Sequence, residues 1–175
     1  MAKTYNTIST FTSGQILTAT QMNGIGTNVN NYRVPPMCFT TGVNTSQTLT
    51  HGAFTNIQFT GADTVDTDDI HNPSSNSDRF TVTTAGVYVV TAYIQINATG
   101  ITTGLLNITV NAAGVYENGT SSPLSASAMR MGVSGILNLA ANDIVRFSVY
   151  QESSGSANRN PALASFGISW LGQAS

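Results

Sequence analysis

The clearest architectural signal in this chain lies in Arg79-Phe80-Thr81-Val82-Thr83-Thr84-Ala85-Gly86-Val87-Tyr88-Val89-Val90-Thr91-Ala92-Tyr93-Ile94-Gln95-Ile96. Val, Tyr, Thr and Ile suit a half-buried pleated surface, and Thr83-Thr84-Ala85-Gly86 interrupts them with a residue free to adopt positive φ. The stretch reads as a strand, a tight turn and a second strand. One parity of the second strand carries Tyr88, Val90, Ala92, Ile94 and Ile96; the other carries Val87, Val89, Thr91 and Tyr93, so neither face is plainly polar. A strand in a lone sandwich alternates between core and water. An apolar second face therefore implies either a further layer of the same chain or contact with another subunit.

Further short β segments are predicted on either side, at 37–41, 54–60, 105–110, 129–139, 144–150 and 165–171. They are separated by Gly-rich polar connections such as Gly61-Ala62-Asp63-Thr64 and Ser153-Ser154-Gly155-Ser156. This spacing, with no strong helix after residue 36, predicts an all-β sandwich of the jelly-roll type. Residues 1–36 differ. Thr18 is placed to cap a helix, and Met22, Ile25, Val29 and Tyr32 follow at spacings of three, four and three. That is a short seam of the kind by which helices associate, weakened by Gly24 and Gly26 at about 1 kcal/mol each. Val34-Pro35-Pro36 ends it.

Composition narrows the function classes. Charged residues make up 8% of the 175 residues, and Thr, Ser and Asn supply 60 of them, whereas ordinary globular chains are roughly 25% charged. Six scattered Lys and Arg with a net charge of −2 argue against nucleic-acid binding. The opening residues lack the apolar core of a signal peptide, and no run approaches a transmembrane helix in length, so neither export nor membrane insertion is expected. The single Cys38 excludes a disulfide framework and a multi-thiolate metal site, and reads as small apolar filler in a strand.

Two resemblances bear on this reading. Thr10-Phe11-Thr12-Ser13-Gly14-Gln15-Ile16-Leu17-Thr18-Ala19-Thr20-Gln21-Met22-Asn23 resembles the opening of many bacteriophage tail-fibre and other virion structural proteins. Phe11, Gly14, Leu17 and Asn23 match, and Met22 stands where Leu is commoner. The resemblance implies that residues 1–36 attach the chain to other virion proteins. The second resemblance is carried by Arg79-Phe80-Thr81-Val82, Ala85-Gly86-Val87-Tyr88, Gly135-Ile136-Leu137-Asn138-Leu139-Ala140-Ala141-Asn142-Asp143-Ile144-Val145 and Ala164-Ser165-Phe166-Gly167-Ile168-Ser169-Trp170-Leu171. Their order is similar to that of the signatures in C1q and tumour-necrosis-factor-like domains. Asn142 replaces the usual Gly before Asp, a departure the turn survives because Asn tolerates positive φ. The resemblance implies a ten-stranded jelly roll and a tight homotrimer.

No catalytic motif is present: there is no Gly-x-Ser-x-Gly, no His-Glu-x-x-His and no phosphate-binding Gly-Lys-Ser/Thr. Four of the eight acidic residues, Asp63, Asp66, Asp68 and Asp69, fall within seven positions. Such a cluster suits a hard, oxygen-preferring cation, and Ca²⁺ at Asp66, Asp68 and Asp69 is the metal reading; a solvated acidic loop is the plainer one. Otherwise no cofactor is expected. Tyr88, Val90, Tyr93, Phe147, Phe166 and Trp170 are candidates for core or trimer interface rather than for sugar stacking, and Tyr150 is grouped with them. Arg146 is read as lining a threefold region, pairing, or facing water.

The resulting expectation is an all-β, C1q/TNF-like jelly-roll sandwich over 37–175, with a short extended or helical anchor over 1–36. Functionally it is a non-enzymatic phage virion protein, a homotrimeric fibre or spike knob adhering to a host-surface glycan or protein. A capsid decoration protein (cement or head fibre) is the alternative, and a glycan-processing enzyme a third reading.

Overall fold

The computed structural model describes residues 13–97, 100–120 and 128–174. Its first element is helix α1, Ala19–Arg33, which starts where Thr18 predicts. Gln21 N–H donates to Thr18 Oγ1 at 3.2 Å while Thr18 N–H donates to Gln21 Oε1 at 2.9 Å, so two orphan donors are satisfied reciprocally.

Ten strands follow: β1 Met37–Thr40, β2 Phe54–Asn56, β3 Val65–Asp66, β4 Phe80–Thr81, β5 Gly86–Ile96, β6 Ile101–Val110, β7 Ala113–Thr120, β8 Met129–Leu139, β9 Ile144–Ser153 and β10 Leu163–Gly172. They form two antiparallel sheets. One has the order β3-β1-β10-β5-β8; the other has β2-β9-β6-β7, with β4 also pairing to β9.

The opening stretch is not a hairpin. Phe80 and Thr81 pair with Val145 and Ile144 of β9, whereas β5 lies between β10 and β8 in the opposite sheet. Residues 82–85 carry the chain from one sheet to the other. Gly86 takes the positive φ that the sequence suggests, at 152°, but at a crossing instead of a reversal. Three side chains hold this crossing. Tyr88 hydroxyl donates to Thr84 carbonyl at 2.6 Å, Trp170 Nε1 donates to Ala85 carbonyl at 3.3 Å, and Asp68 Oδ2 accepts from the hydroxyls of Thr83 and Thr84.

The core lies between the sheets. Tyr88, Val90, Ala92, Ile94 and Ile96 of β5 are buried, facing Leu106 and Ile108 of β6 and Val145, Phe147 and Val149 of β9. Phe59, Phe80, Phe147 and Phe166 form an aromatic centre, with Phe80 and Phe166 stacked at a centroid distance of 3.9 Å. Each such fully buried side chain contributes about 1.5–3 kcal/mol of transfer free energy. The turn between β8 and β9 keeps its form with Asn142 at φ 73°. Asp143 Oδ2 accepts from Ala140 N–H at 2.8 Å and its Oδ1 accepts from Asn111 Nδ2 at 2.8 Å.

Candidate functional site

The two sheets differ on their outward faces. Outward positions of the second sheet mix the polar side chains of Asn56, Thr103, Asn107, Thr109, Arg146 and Glu152 with Phe54, Leu105 and Tyr150. Outward positions of the first sheet carry Met37 and Phe39 on β1, Val65 on β3, Val87, Val89 and Tyr93 on β5, and Ile136 on β8, beside the uncharged polar side chains of Thr91, Gln95, Ser134, Asn138, Ser165 and Ser169. Ile136 is 61% exposed. Among the outward strand positions of this face Arg130 is the one charged side chain, at a corner, donating from Nε to Gln95 Oε1 at 2.8 Å. Phe39 lies opposite Gly167, and a Cβ on Gly167 would stand 3.4 Å from the Phe39 ring. The ring thus covers the bare backbone of β10. Beside it runs a shallow groove lined by Met37, Phe39, Val65, Val89, Thr91 and Ser169. A nearly uncharged face with apolar side chains left open to water is suited to being covered by a partner.

The sequence candidates now separate. Tyr88, Val90, Phe147, Phe166 and Trp170 are buried between the sheets. Tyr93, of the opposite parity, is half-buried on the outward face. The two apolar faces of β5 are therefore core for one parity and open sheet face for the other. Tyr150 is not a core residue: it lies on the outward face of β9, its ring 5.5 Å from that of Phe54, because Val149 and Gln151 take the inward positions. Arg146, on the same face, pairs with Asp78 at 3.2 Å. Of the N-terminal candidates, Phe11 lies outside the described residues. Gly14 sits in a turn at φ 84°, Leu17 is exposed, and Met22 and Asn23 lie in α1. Met22 and Val29 are 52% and 53% exposed, so the helical stripe is largely uncovered.

The acidic loop is organised by its own backbone. Asp66 Oδ1 accepts from the N–H groups of Asp68 and Ile70, and Oδ2 from that of His71 at 2.9 Å. Asp68 is buried and turned to Thr83 and Thr84, and Asp69 is exposed. Among the described residues these three carboxylates do not converge as ligands. The set that converges is Cys38, Asp63 and His71. Cys38 was missed as a partner because the loop that brings His71 to it cannot be read from spacing. Burial, then the charges of Asp66 and Asp63, push the Cys38 thiol well above its usual range.

No protein-family model and no curated protein matches the sequence. Solved structures do. The globular domain of zebrafish complement 1qA protein superimposes with a TM-score of 0.62 at 14% identity, over 80% of this chain and 100% of that one. Murine APRIL gives 0.59 at 11% identity, over 78% of this chain and 98% of its own. The fold is a C1q/TNF-like jelly roll.

Proposed function

We propose that the protein is a structural component of a phage virion, a homotrimer built through the outward face of the β3-β1-β10-β5-β8 sheet. Residues 1–36 attach it to the particle, and the sandwich is exposed toward the host surface. The observation that carries the assembly is the difference between the two outward faces: one holds Arg146 and Glu152 among mixed polar and apolar side chains, the other holds Phe39, Val87, Val89, Tyr93 and Ile136 with a single corner charge, Arg130. A closed symmetric assembly removes such a face from water. The capped helix, with Met22 and Val29 more than half exposed, offers a second apolar strip to a neighbour. Support for the virion setting is the likeness of the 10–23 segment to virion proteins, together with a surface built from Thr, Ser and Asn. Three copies on one particle would raise avidity for a weakly bound, repetitive glycan or protein receptor. No reaction is assigned.

Sedimentation of the purified chain at micromolar concentration tests the assembly, and a monomer there sinks it. Particle binding by full-length and 37–175 chains tests attachment, with loss of tail binding expected on truncation. Binding to empty heads instead identifies a capsid decoration protein.

A further inference from the structure

We propose that Cys38, Asp63 and His71 form a binding site for a divalent transition metal of the zinc class, with a water completing the coordination. Their ligand atoms, Sγ, a carboxylate oxygen and a ring nitrogen, all lie within 4.8 Å of one another. The three come from different parts of the chain: Cys38 from β1, Asp63 from before β3 and His71 from after it.

The histidine geometry points to a ligand. His71 Nε2 lies 3.2 Å from the carbonyl oxygen of Ser77, an acceptor that suits an Nε2–H once Nδ1 holds an ion. The Nδ1 position then faces Asp63 Oδ1 at 2.8 Å. A ring nitrogen held by a backbone carbonyl while the other faces a carboxylate and a thiol is the arrangement found at ligating histidines. Asp66 shapes the backbone that brings the ring there, since its carboxylate holds the N–H of His71 itself. Phe80, stacked on the imidazole at 4.6 Å, fixes the ring plane.

Charge and donor type select the ion. Thiolate, carboxylate and neutral imidazole bring two negative charges, which a divalent cation cancels in a place too buried to leave them unpaired. Binding displaces the thiol proton and replaces the hydrogen bond between Asp63 and His71. Sulfur and nitrogen donors suit Zn²⁺ and exclude Ca²⁺ and Mg²⁺ as the preferred guest. Tetrahedral bonds of about 2.0 Å to nitrogen and oxygen require the Asp63–His71 contact to open to about 3.3 Å. Asp63, whose side chain is 11% exposed against 0% for His71, gives the ion and its water their way in from solvent. The ion would clamp the acidic loop onto β1, independently of any subunit assembly.

The test uses the metal-free full chain. Titration with Co²⁺ should give a thiolate-to-cobalt charge-transfer band saturating at one equivalent per chain, and Zn²⁺ should displace it and raise the unfolding temperature. Cys38→Ala should abolish the band and weaken Zn²⁺ by more than the roughly 100-fold that losing even an outer-shell partner costs. Asp63→Asn, at the solvent edge, decides the matter should the buried substitution unfold the protein: weakened binding by a folded variant supports the site. Absence of the band in the wild-type chain, or unchanged Zn²⁺ affinity in either folded variant, overturns it.

Discussion

A Cβ on Gly86 would stand 2.1 Å from Nε1 of Trp170 and 2.5 Å from the carbonyl oxygen of Gly172, so glycine and indole share one site at the sheet crossing. The φ of 152° there is one that side chains rarely adopt. Gly86→Ala should lower stability by about 3 kcal/mol or more, combining backbone strain with overpacking. Trp170 is the single tryptophan, so its fluorescence during urea unfolding measures the loss at the place where it arises. An unchanged midpoint would show that the indole does not rest on the glycine.

The two parities of β5 predict opposite mutant phenotypes. Tyr88→Glu places a charge in the core and should leave the chain unfolded by circular dichroism. Val89→Glu and Tyr93→Glu place it on the outward face and should give folded monomers in sedimentation. Folded trimers from both outward variants would remove this face as the assembly surface.

Asp68 should matter through the crossing. Its carboxylate accepts from Thr83 and Thr84, and hydrogen bonds to charged groups contribute about 1.5–3 kcal/mol. Asp68→Ala should therefore cost about 3 kcal/mol. Asp69→Asn, at an exposed residue whose φ of 52° Asn tolerates, should cost less than about 1 kcal/mol. Equal losses in denaturant titrations would contradict the assignment.

Tyr150 and Glu152 should titrate as partners. The phenol donates to Glu152 Oε1 at 2.6 Å; that bond, then desolvation and the carboxylate charge, hold Tyr150 above its usual 10.0. The same bond, aided by one from Thr103, holds Glu152 below 4.5. Glu152→Gln should therefore bring phenol ionisation down toward 10.0 in an ultraviolet titration, and Tyr150→Phe should bring the carboxyl up toward 4.5 by NMR. A phenol that titrates identically with and without Glu152 would refute the pairing.

Much of the fold was legible. The helix start at Thr18, the long strands β5, β8, β9 and β10 and the jelly-roll class follow from local pattern, and the positive φ at Asn142 from the resemblance to C1q and tumour-necrosis-factor-like domains. The partnership of Phe80 did not. Two apolar runs separated by a Gly-containing break fit a hairpin and a sheet crossing equally well, and only the long-range register with Val145 decides between them. Strand β3 has two residues inside an acidic loop, and β7 reads Ala-Gly-Val-Tyr-Glu-Asn-Gly-Thr, whose Gly and Asn mimic a turn. β7 is a strand because it pairs with β6 and because Tyr116 reaches across to the carbonyl of Ile136 at 2.8 Å. The parity of β5 was unreadable for a related reason. When both faces are apolar, periodicity separates them without saying which is inside. For the Cys38 cluster, sequence showed the residue types, but their meeting depends on how Asp66 folds the loop back.

The first strand of the sandwich and its last are neighbours, and Trp170 N–H donates to the carbonyl of Pro36 at 2.9 Å. Chain entry and exit thus share one end, while residues 41–53 and 154–162 join each other at the far end through Leu49 and Arg159. A load between a tether before residue 37 and a grip on those far loops runs parallel to the strands. The hydrogen bonds of an antiparallel pair lie across that direction. Met37, Cys38, Phe39 and Thr40, paired with Ser169, Ile168, Gly167 and Phe166, therefore resist in shear, all together instead of one after another.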